Sequence, residues 1–154
     1  MKLNPMSEQD YAFWSKRSRE SYADDMIKAN GLKREEADKT ANDSFKRLLP
    51  DGRNSKDNFL FTAHDEAQNV LGYIWFTIRG AENNRKAFIC DVVIQDQYRG
   101  KGYGTKIMEL VEIEIKKQGL NRIGLHVFGF NETAINLYKK LGYLTTDLEM
   151  EKTL

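Results

Sequence analysis

The chain of 154 residues is long enough for a domain with a hydrophobic core, and 24 Lys and Arg against 23 Asp and Glu give a formal net charge of +1. This balance provides no basic surface for nucleic acid or for an anionic membrane, so neither is expected as a partner. The single cysteine, Cys90, excludes an internal disulfide framework. No apolar stretch is long enough to span a bilayer and residues 1–10 hold no apolar run, so a cytoplasmic protein is expected.

The first third of the chain is predicted to be helical. Ser7 is a capping residue, and apolar and aromatic residues then recur every three or four positions to about Asn30, where Gly31 is a stop signal. A second helix follows and ends before Pro50. Its apolar face consists of Ala37, Ala41, Phe45 and Leu48.

From residue 58 the pattern becomes that of strands alternating with helices. The first three strands are expected to form an antiparallel meander, and the two later helices are expected to be crossovers. No repeat or linker divides the chain, so the prediction is one α/β domain over residues 1–154 with a mixed sheet. The predicted strands are 59–63, 70–78, 87–94, 122–128 and 148–152, and the predicted helices are 105–117 and 131–141.

A glycine-rich segment, residues 98–105, lies between a predicted strand and a predicted helix. Alternate glycines let the backbone turn tightly, and the free N–H groups of the helix start favour phosphate oxygens. Arg99 and Lys101 add positive charge. The nucleoside-triphosphate loop G-x-x-x-x-G-K-[ST] is absent, and the dinucleotide fingerprint fails because Thr105 stands at its third glycine. From these residues alone, a turn that binds no ligand remains an alternative.

Two motifs in the correct order resemble the GNAT superfamily of N-acetyltransferases. Arg99–Gly104 matches [QR]-x-x-G-x-[GA], the acetyl-CoA loop of that superfamily, and Asn131–Tyr143 is similar to its second signature, N-x-x-A-x-x-L-Y-x-x-x-G-[FY]. The resemblance to the core of the superfamily covers residues 58–154. The whole chain is similar to small bacterial members whose substrates are not established. It implies an acetyl-CoA-binding core over 58–154 and a helical acceptor-side region over 1–50.

The resemblance also implies the fold. It is a mixed, mostly antiparallel central sheet of about six to seven strands, with helices on both faces. A splay is expected between the two central parallel strands, here 87–94 and 122–128.

The implied activity is transfer of an acetyl group from acetyl-CoA to a primary amine of a small molecule or a protein, by direct attack and without a metal. The alternative is a regulatory module that holds acyl-CoA without turnover, and the retention of Tyr138 favours the enzyme. A homodimer is left open.

The resemblance assigns residues to the coenzyme. The diphosphate is expected on the backbone of the loop, and the pantetheine alongside the third strand, whose amides pair with it. A main-chain N–H near Val93 is the expected donor to the oxyanion. The residues assigned to the loop are Arg99, Gly100, Lys101, Gly102, Tyr103, Gly104 and Thr105, those of the strand are Val92, Val93 and Ile94, and those across the gap are Asn131, Ala134, Leu137 and Tyr138.

Two residues are the main candidates for proton transfer. Tyr138 occupies the general-acid position of the superfamily, and its alternative is a core tyrosine on the apolar stripe. Asp91 is the candidate base, but strand parity predicts that it faces away from Cys90 and Val92, and a water chain or a backbone carbonyl could serve instead.

For the remaining candidate residues, a purely structural role is the stronger alternative. His126 is either a proton-transfer group near the splay or an ordinary strand histidine, and His64 is expected at the surface. Cys90 has no basic partner in the sequence and is expected to be an inert thiol. The aromatic residues of the first helix are expected in the core, with some lining the acceptor cleft.

Overall fold

The chain begins with a short strand that is followed by two long helices. A computed structural model describes residues 1–154. Ser7 caps the first helix, because its Oγ accepts a hydrogen bond of 3.1 Å from Asp10 N, and Gly31 ends it with φ +66°. Both helices lie where the sequence predicts them. The elements are β1 (Lys2–Pro5), α1 (Glu8–Asn30) and α2 (Arg34–Leu48).

A five-stranded sheet in the order β1-β2-β3-β4-β5 is the centre of the fold. The first four strands pair antiparallel and the last pairs parallel to β4, so the sheet is mixed and mostly antiparallel, as expected. No helix combines the length and the apolar character that a membrane crossing requires. The remaining elements are β2 (Asn58–His64), β3 (Val70–Arg79), β4 (Lys86–Ile94), α3 (Tyr103–Lys117), β5 (Ile123–Leu125) and α4 (Glu132–Lys140).

The strand count differs from the expected six to seven. Residues 148–152 have the alternating pattern of a strand, but Leu148 and Met150 are exposed and no neighbouring strand pairs with them. The strand predicted over 122–128 shortens to Ile123–Leu125, because Phe128 leaves the sheet to pack against α1 and α2. β1 was not predicted, since four residues carry too little periodicity.

Helices cover both faces of the sheet. On one face, α3 packs its apolar stripe against the side chains of Leu71, Ile74 and Phe76. On the other face, Trp14 of α1 and Phe45 of α2 pack against Trp75 of β3, with ring centroids 5.7 and 5.4 Å from that of Trp75. The stripe of α3 consists of Ile107, Met108, Val111 and Ile115, which are all fully buried.

A β-bulge interrupts β4 at Cys90. Trp75 pairs with Asp91, whereas the next residue of β3, Phe76, pairs with Ile89, so Cys90 is the extra residue. Ile89 packs on the α3 side of the sheet, and so do Val92 and Ile94 beyond the bulge. The bulge therefore reverses the alternation of side chains in the second half of β4.

The pairing between β4 and β5 covers only the first half of β4. Ala87–Ile89 pair with Ile123–Leu125, and beyond Ile89 the strand β4 has β3 as its only neighbour. The edge of β4 from Cys90 to Ile94 is therefore open on the side of β5, at the position where the splay is expected.

Candidate active site

The glycine loop leads into α3 with free main-chain donors. Gly100 and Gly102 have φ values of +72° and +80°, and Gly102 is the N-cap without a side-chain cap. The amides of residues 100–105 donate to no acceptor within the protein, and the first helical bond of α3 is from Lys106 N to Gly102 O, at 3.3 Å. This arrangement is the donor set that a diphosphate requires.

The two basic side chains of the loop turn back toward the preceding residues. Arg99 Nη2 lies 3.0 Å from Asp96 Oδ1, and Lys101 Nζ donates to Gln97 O at 2.9 Å. Arg17 of α1 also reaches Asp96 Oδ1, at 3.2 Å. All of these groups are at least one-third exposed, so their ion pairs are weak and a bound anion can compete for the basic groups.

The start of α4 closes the other side of the loop. A Cβ on Gly104 would lie 3.2 Å from Leu137 Cδ2, so α3 and α4 approach each other closely there. Asn131 Oδ1 accepts from Ala134 N at 3.2 Å, so this asparagine is the N-cap of α4. Leu137 and Ala134 are half-buried, whereas Asn131 is exposed.

The register decides which amides of β4 are free. Gln95 N donates to Leu71 O at 2.9 Å, and antiparallel pairs alternate, so Val93 and Tyr73 form a hydrogen-bonded pair. The N–H of Val93 therefore points to β3. The N–H groups of Val92 and Ile94 point to the open side. The oxyanion donor that is expected near Val93 is therefore one of these two neighbours and not Val93 itself.

Asp91 faces α1 and is anchored there. Trp14 Nε1 donates to Asp91 Oδ2 at 2.8 Å, and Ser18 Oγ donates to the same oxygen at 2.6 Å. Burial raises the pKa of Asp91 above its usual value. These two hydrogen bonds, the N–H of Val92 and the charge of Arg17 oppose the rise. The expected parity holds for Val92 but not for Cys90, because the bulge turns Cys90 and Asp91 to the same side.

Tyr138 lies on α4 against the α3 side of the core. Burial raises its pKa to about 12, and the negative charge of Asp91 adds to the rise. Its ring centroid is 5.6 Å from that of Tyr143, whose buried hydroxyl has no hydrogen-bond partner. The two candidates for proton transfer therefore approach the open edge of β4 from opposite layers, Asp91 beside α1 and Tyr138 from α4.

The contacts of the other candidate residues, Cys90, His126 and His64, indicate structural roles. Contrary to the expectation, Cys90 has a basic neighbour, because Arg79 Nη2 lies 3.9 Å from its Sγ. Burial outweighs this contact and raises the pKa of Cys90 to about 11, which fits an unreactive thiol. The ring of His126 packs edge-on against Phe128 at 5.0 Å. His64 is half-buried, not fully at the surface, and its Nδ1 lies 3.0 Å from Asn4 Nδ2.

Sequence reasoning missed the partners of Asp91. Ser18 is 6 % exposed and lies on the same helical stripe as Trp14, which precedes it by four residues. A serine within an apolar stripe was the available signal, because a buried hydroxyl requires a partner.

The loop, the open strand edge and the helices on both faces together form the candidate active site. The model of the Acetyltransferase (GNAT) family matches residues 16–143, and the chain belongs to this family. The chain is 28% identical over 152 residues to YycN and 26% identical over 152 residues to YdgE, both N-acetyltransferases of Bacillus subtilis that are described as uncharacterized. Both matches cover 99% of this chain and 97% of the relative.

A more distant relative and two solved structures extend the comparison. Mouse thialysine N-epsilon-acetyltransferase is 36% identical over 74 residues, which cover 47% of this chain and 44% of the relative. The crystal structure of YycN superposes with a TM-score of 0.93 over 99% of this chain and 97% of that chain, at 28% identity. A Clostridium acetobutylicum protein crystallised with acetyl-CoA has the same fold, with a TM-score of 0.64 at 18% identity, over 99% of this chain and 95% of that chain. By the family match, the protein is an acetyltransferase.

Proposed function

We propose that the protein transfers the acetyl group of acetyl-CoA to a primary amine of a small molecule or a protein, by direct attack of the amine on the thioester. The observation that carries this proposal is two groups of amides without a main-chain acceptor. One group is the amides of residues 100–105, and the other is those of Val92 and Ile94 at the open edge of β4.

Acetyl-CoA fits these residues. The loop amides would bind its diphosphate, and the open edge of β4 would pair with the amide groups of its pantetheine arm as an additional strand would. When bound, it supplies an acyl carbon that is activated as a thioester. Leu137, Ala134 and Tyr138 of α4 would border the other side of the gap, and Asn131 would fix the start of that helix.

The amide of Val92 or that of Ile94 would stabilise the negative charge that develops on the carbonyl oxygen during attack. A single oxygen can bind only one of them, because amides two residues apart on a strand are separated by roughly 6.8 Å. Such a donor is worth ~3 kcal/mol in comparable enzymes. Because the donors are main-chain groups on a strand that β3 holds in register, they need no reorganisation during the reaction.

Asp91 would accept the proton that an ammonium must lose before it attacks. An alkylamine has a pKa of about 10, so it arrives protonated at neutral pH. Burial raises the pKa of Asp91, which makes its carboxylate a stronger base than an exposed one. The carboxylate is also the negative group that would attract a cationic acceptor to this side of the sheet.

Tyr138 would donate a proton to the sulfur of the departing thiolate. Its pKa of about 12 keeps the phenol protonated at neutral pH. The charge of Asp91 is one cause of that value, so protonation of Asp91 by the substrate lowers the pKa of Tyr138. The first proton transfer therefore makes the second one easier.

The experiment is a thiol-release assay with acetyl-CoA and a panel of amines. The panel contains a polyamine, an aminoglycoside, amino-acid derivatives that include thialysine, and a lysine peptide, because a relative is named for the ε-amine of thialysine. Release above the rate of hydrolysis with at least one amine is the expected result.

Calorimetry with acetyl-CoA separates the two ways in which the proposal can fail. Tight binding without thiol release for any amine would identify a regulatory module that holds acyl-CoA. The absence of binding would contradict the assignment of the loop itself.

A further inference from the structure

Helix α1 contacts the sheet at Asp91 through two polar side chains. Trp14 is 1 % exposed and Ser18 is 6 % exposed, and they are one helical turn apart on the buried stripe of α1. Their donors converge on a single atom, Asp91 Oδ2, at 2.8 and 2.6 Å. The O–H···O distance is that of a strong hydrogen bond to a charged acceptor.

Two donors on one oxygen fix the direction of the whole carboxylate. A carboxylate has two oxygens, and the bonds from Trp14 and Ser18 use only Oδ2. The N–H of Val92 also interacts with the carboxylate, but an oxygen accepts more than one hydrogen bond, so Oδ1 keeps capacity for a further donor. The bulge at Cys90 turns Asp91 toward α1, on the half of β4 that β5 does not cover. The carboxylate is thus held from the acceptor-side helix, at the edge where the acyl carbon would lie.

We infer that Ser18 and Trp14 are positioning residues that hold Asp91 by Oδ2 so that Oδ1 receives the proton of the acceptor amine. This inference rests on the proposed function, because it needs Asp91 to act as the base. In this arrangement Ser18 and Trp14 would act through Asp91, the residue to which both donate.

The pH dependence of the rate reports this arrangement. The titratable and charged groups that face Asp91 are Arg17 on α1, Cys90 on β4 and Tyr138 on α4. Cys90 and Tyr138 are uncharged at neutral pH, since their pKa values are about 11 and about 12. Removal of the Ser18 hydroxyl withdraws a bond that favours the charged carboxylate, so the pKa of Asp91 rises.

The test compares Ser18→Ala with Ser15→Ala. Ser15 is also a buried serine of α1, but its Oγ bonds only to Ala12 O of its own helix, at 3.4 Å. In Ser18→Ala the acidic limb of kcat/KM should move to higher pH by about one unit, the size expected for one hydrogen bond to a charged group. Ser15→Ala should keep the wild-type profile, and Ser18→Thr, which retains a hydroxyl, should restore it.

A second measurement is independent of turnover. The pKa of the Asp91 carboxyl, followed by carbon-13 NMR in the protein without substrates, should rise in Ser18→Ala and stay unchanged in Ser15→Ala. An unchanged carboxyl pKa in Ser18→Ala, or an equal shift in both variants, overturns the inference. If wild type releases no thiol with any amine, the proposed function fails, whereas the NMR titration still decides whether Ser18 holds the carboxylate.

Discussion

Gly72 of β3 lies directly against the carbonyl oxygen of Val93 in β4. A Cβ added to Gly72 would stand 2.1 Å from Val93 O, which is main chain and cannot rotate away. This contact fixes the separation of the two strands beside the open edge, so the shape of the candidate site depends on the absence of a side chain in β3.

Gly72→Ala should therefore destabilise the protein by roughly 1–3 kcal/mol, the usual cost of an overpacked core, and should weaken acetyl-CoA binding because β4 must shift. Gly124→Ala is the matched control. A Cβ on that strand glycine would meet only side-chain atoms, at 3.5 Å or more. Urea unfolding measures both variants, and equal free energies of unfolding would contradict the prediction.

Gly102→Ala should weaken acetyl-CoA binding while costing about 1–2 kcal/mol of stability, the penalty for a left-handed alanine. Gly119→Ala is the control at the opposite end of α3. Both glycines have positive φ values, +80° and +74°, and a Cβ on either would meet no atom within 4 Å. Calorimetric titration with acetyl-CoA should show the loss of affinity in Gly102→Ala only. A similar loss in both variants would mean that the loop is not where the coenzyme binds.

Tyr138→Phe should lower kcat by about 10²-fold, the lower range for loss of a general acid, with the KM for acetyl-CoA nearly unchanged. Tyr143→Phe tests whether an adjacent phenol matters in itself. Its hydroxyl is buried without a partner, so removal should leave turnover intact and stability equal or higher. Steady-state kinetics across pH make the comparison, and full turnover in Tyr138→Phe rules out the acid role.

The raised pKa of Tyr138 also predicts a loss of stability at alkaline pH. Its value is about 12 in the folded protein against 10.0 for the unperturbed group, so folding favours the neutral phenol. The stabilisation is complete below pH 10 and is lost as the pH rises toward 12. Tyr138→Phe should therefore reduce the fall in unfolding free energy between these two pH values. A fall of wild-type size in the variant would show that Tyr138 is not the group responsible.

Asp91→Asn should abolish the pH-independent region of the rate above the carboxyl pKa. Without a base, turnover depends on the free amine, so kcat/KM should rise about tenfold per pH unit toward the amine pKa of ~10. Asp96→Asn provides the control, since it removes an exposed carboxylate near the same end of β4. Profiles of wild-type shape in Asp91→Asn would assign the base to a water chain or to a backbone carbonyl.

The features that the sequence predicts well are those with local causes. Ser7 and Gly31 mark the ends of α1 through their own side-chain and backbone preferences, and Gly100 and Gly102 have the positive φ values that a tight loop requires. These signals lie within a few residues of the structure that they determine.

The features that it predicts poorly depend on partners far away along the chain. Asp91 contacts α1 through Ser18, which is 73 residues earlier, and no local pattern connects the two. The strand pattern of residues 148–152 is real, yet a strand also needs a neighbour, and none pairs with it. The bulge at Cys90 is visible only in the register with β3, and strand parity alone therefore placed Cys90 on the wrong side.

Cys90 shapes the candidate site as the extra residue of the β-bulge more than through its thiol. Cys90 and Asp91 of β4 both stand opposite Trp75 on the α1 side of the sheet. In a chain without the extra residue, the position opposite Trp75 would follow directly after that of Ile89, one residue earlier in the count along β4. A candidate carboxylate can therefore be transferred between relatives by counting residues along this strand only where both chains carry the extra residue.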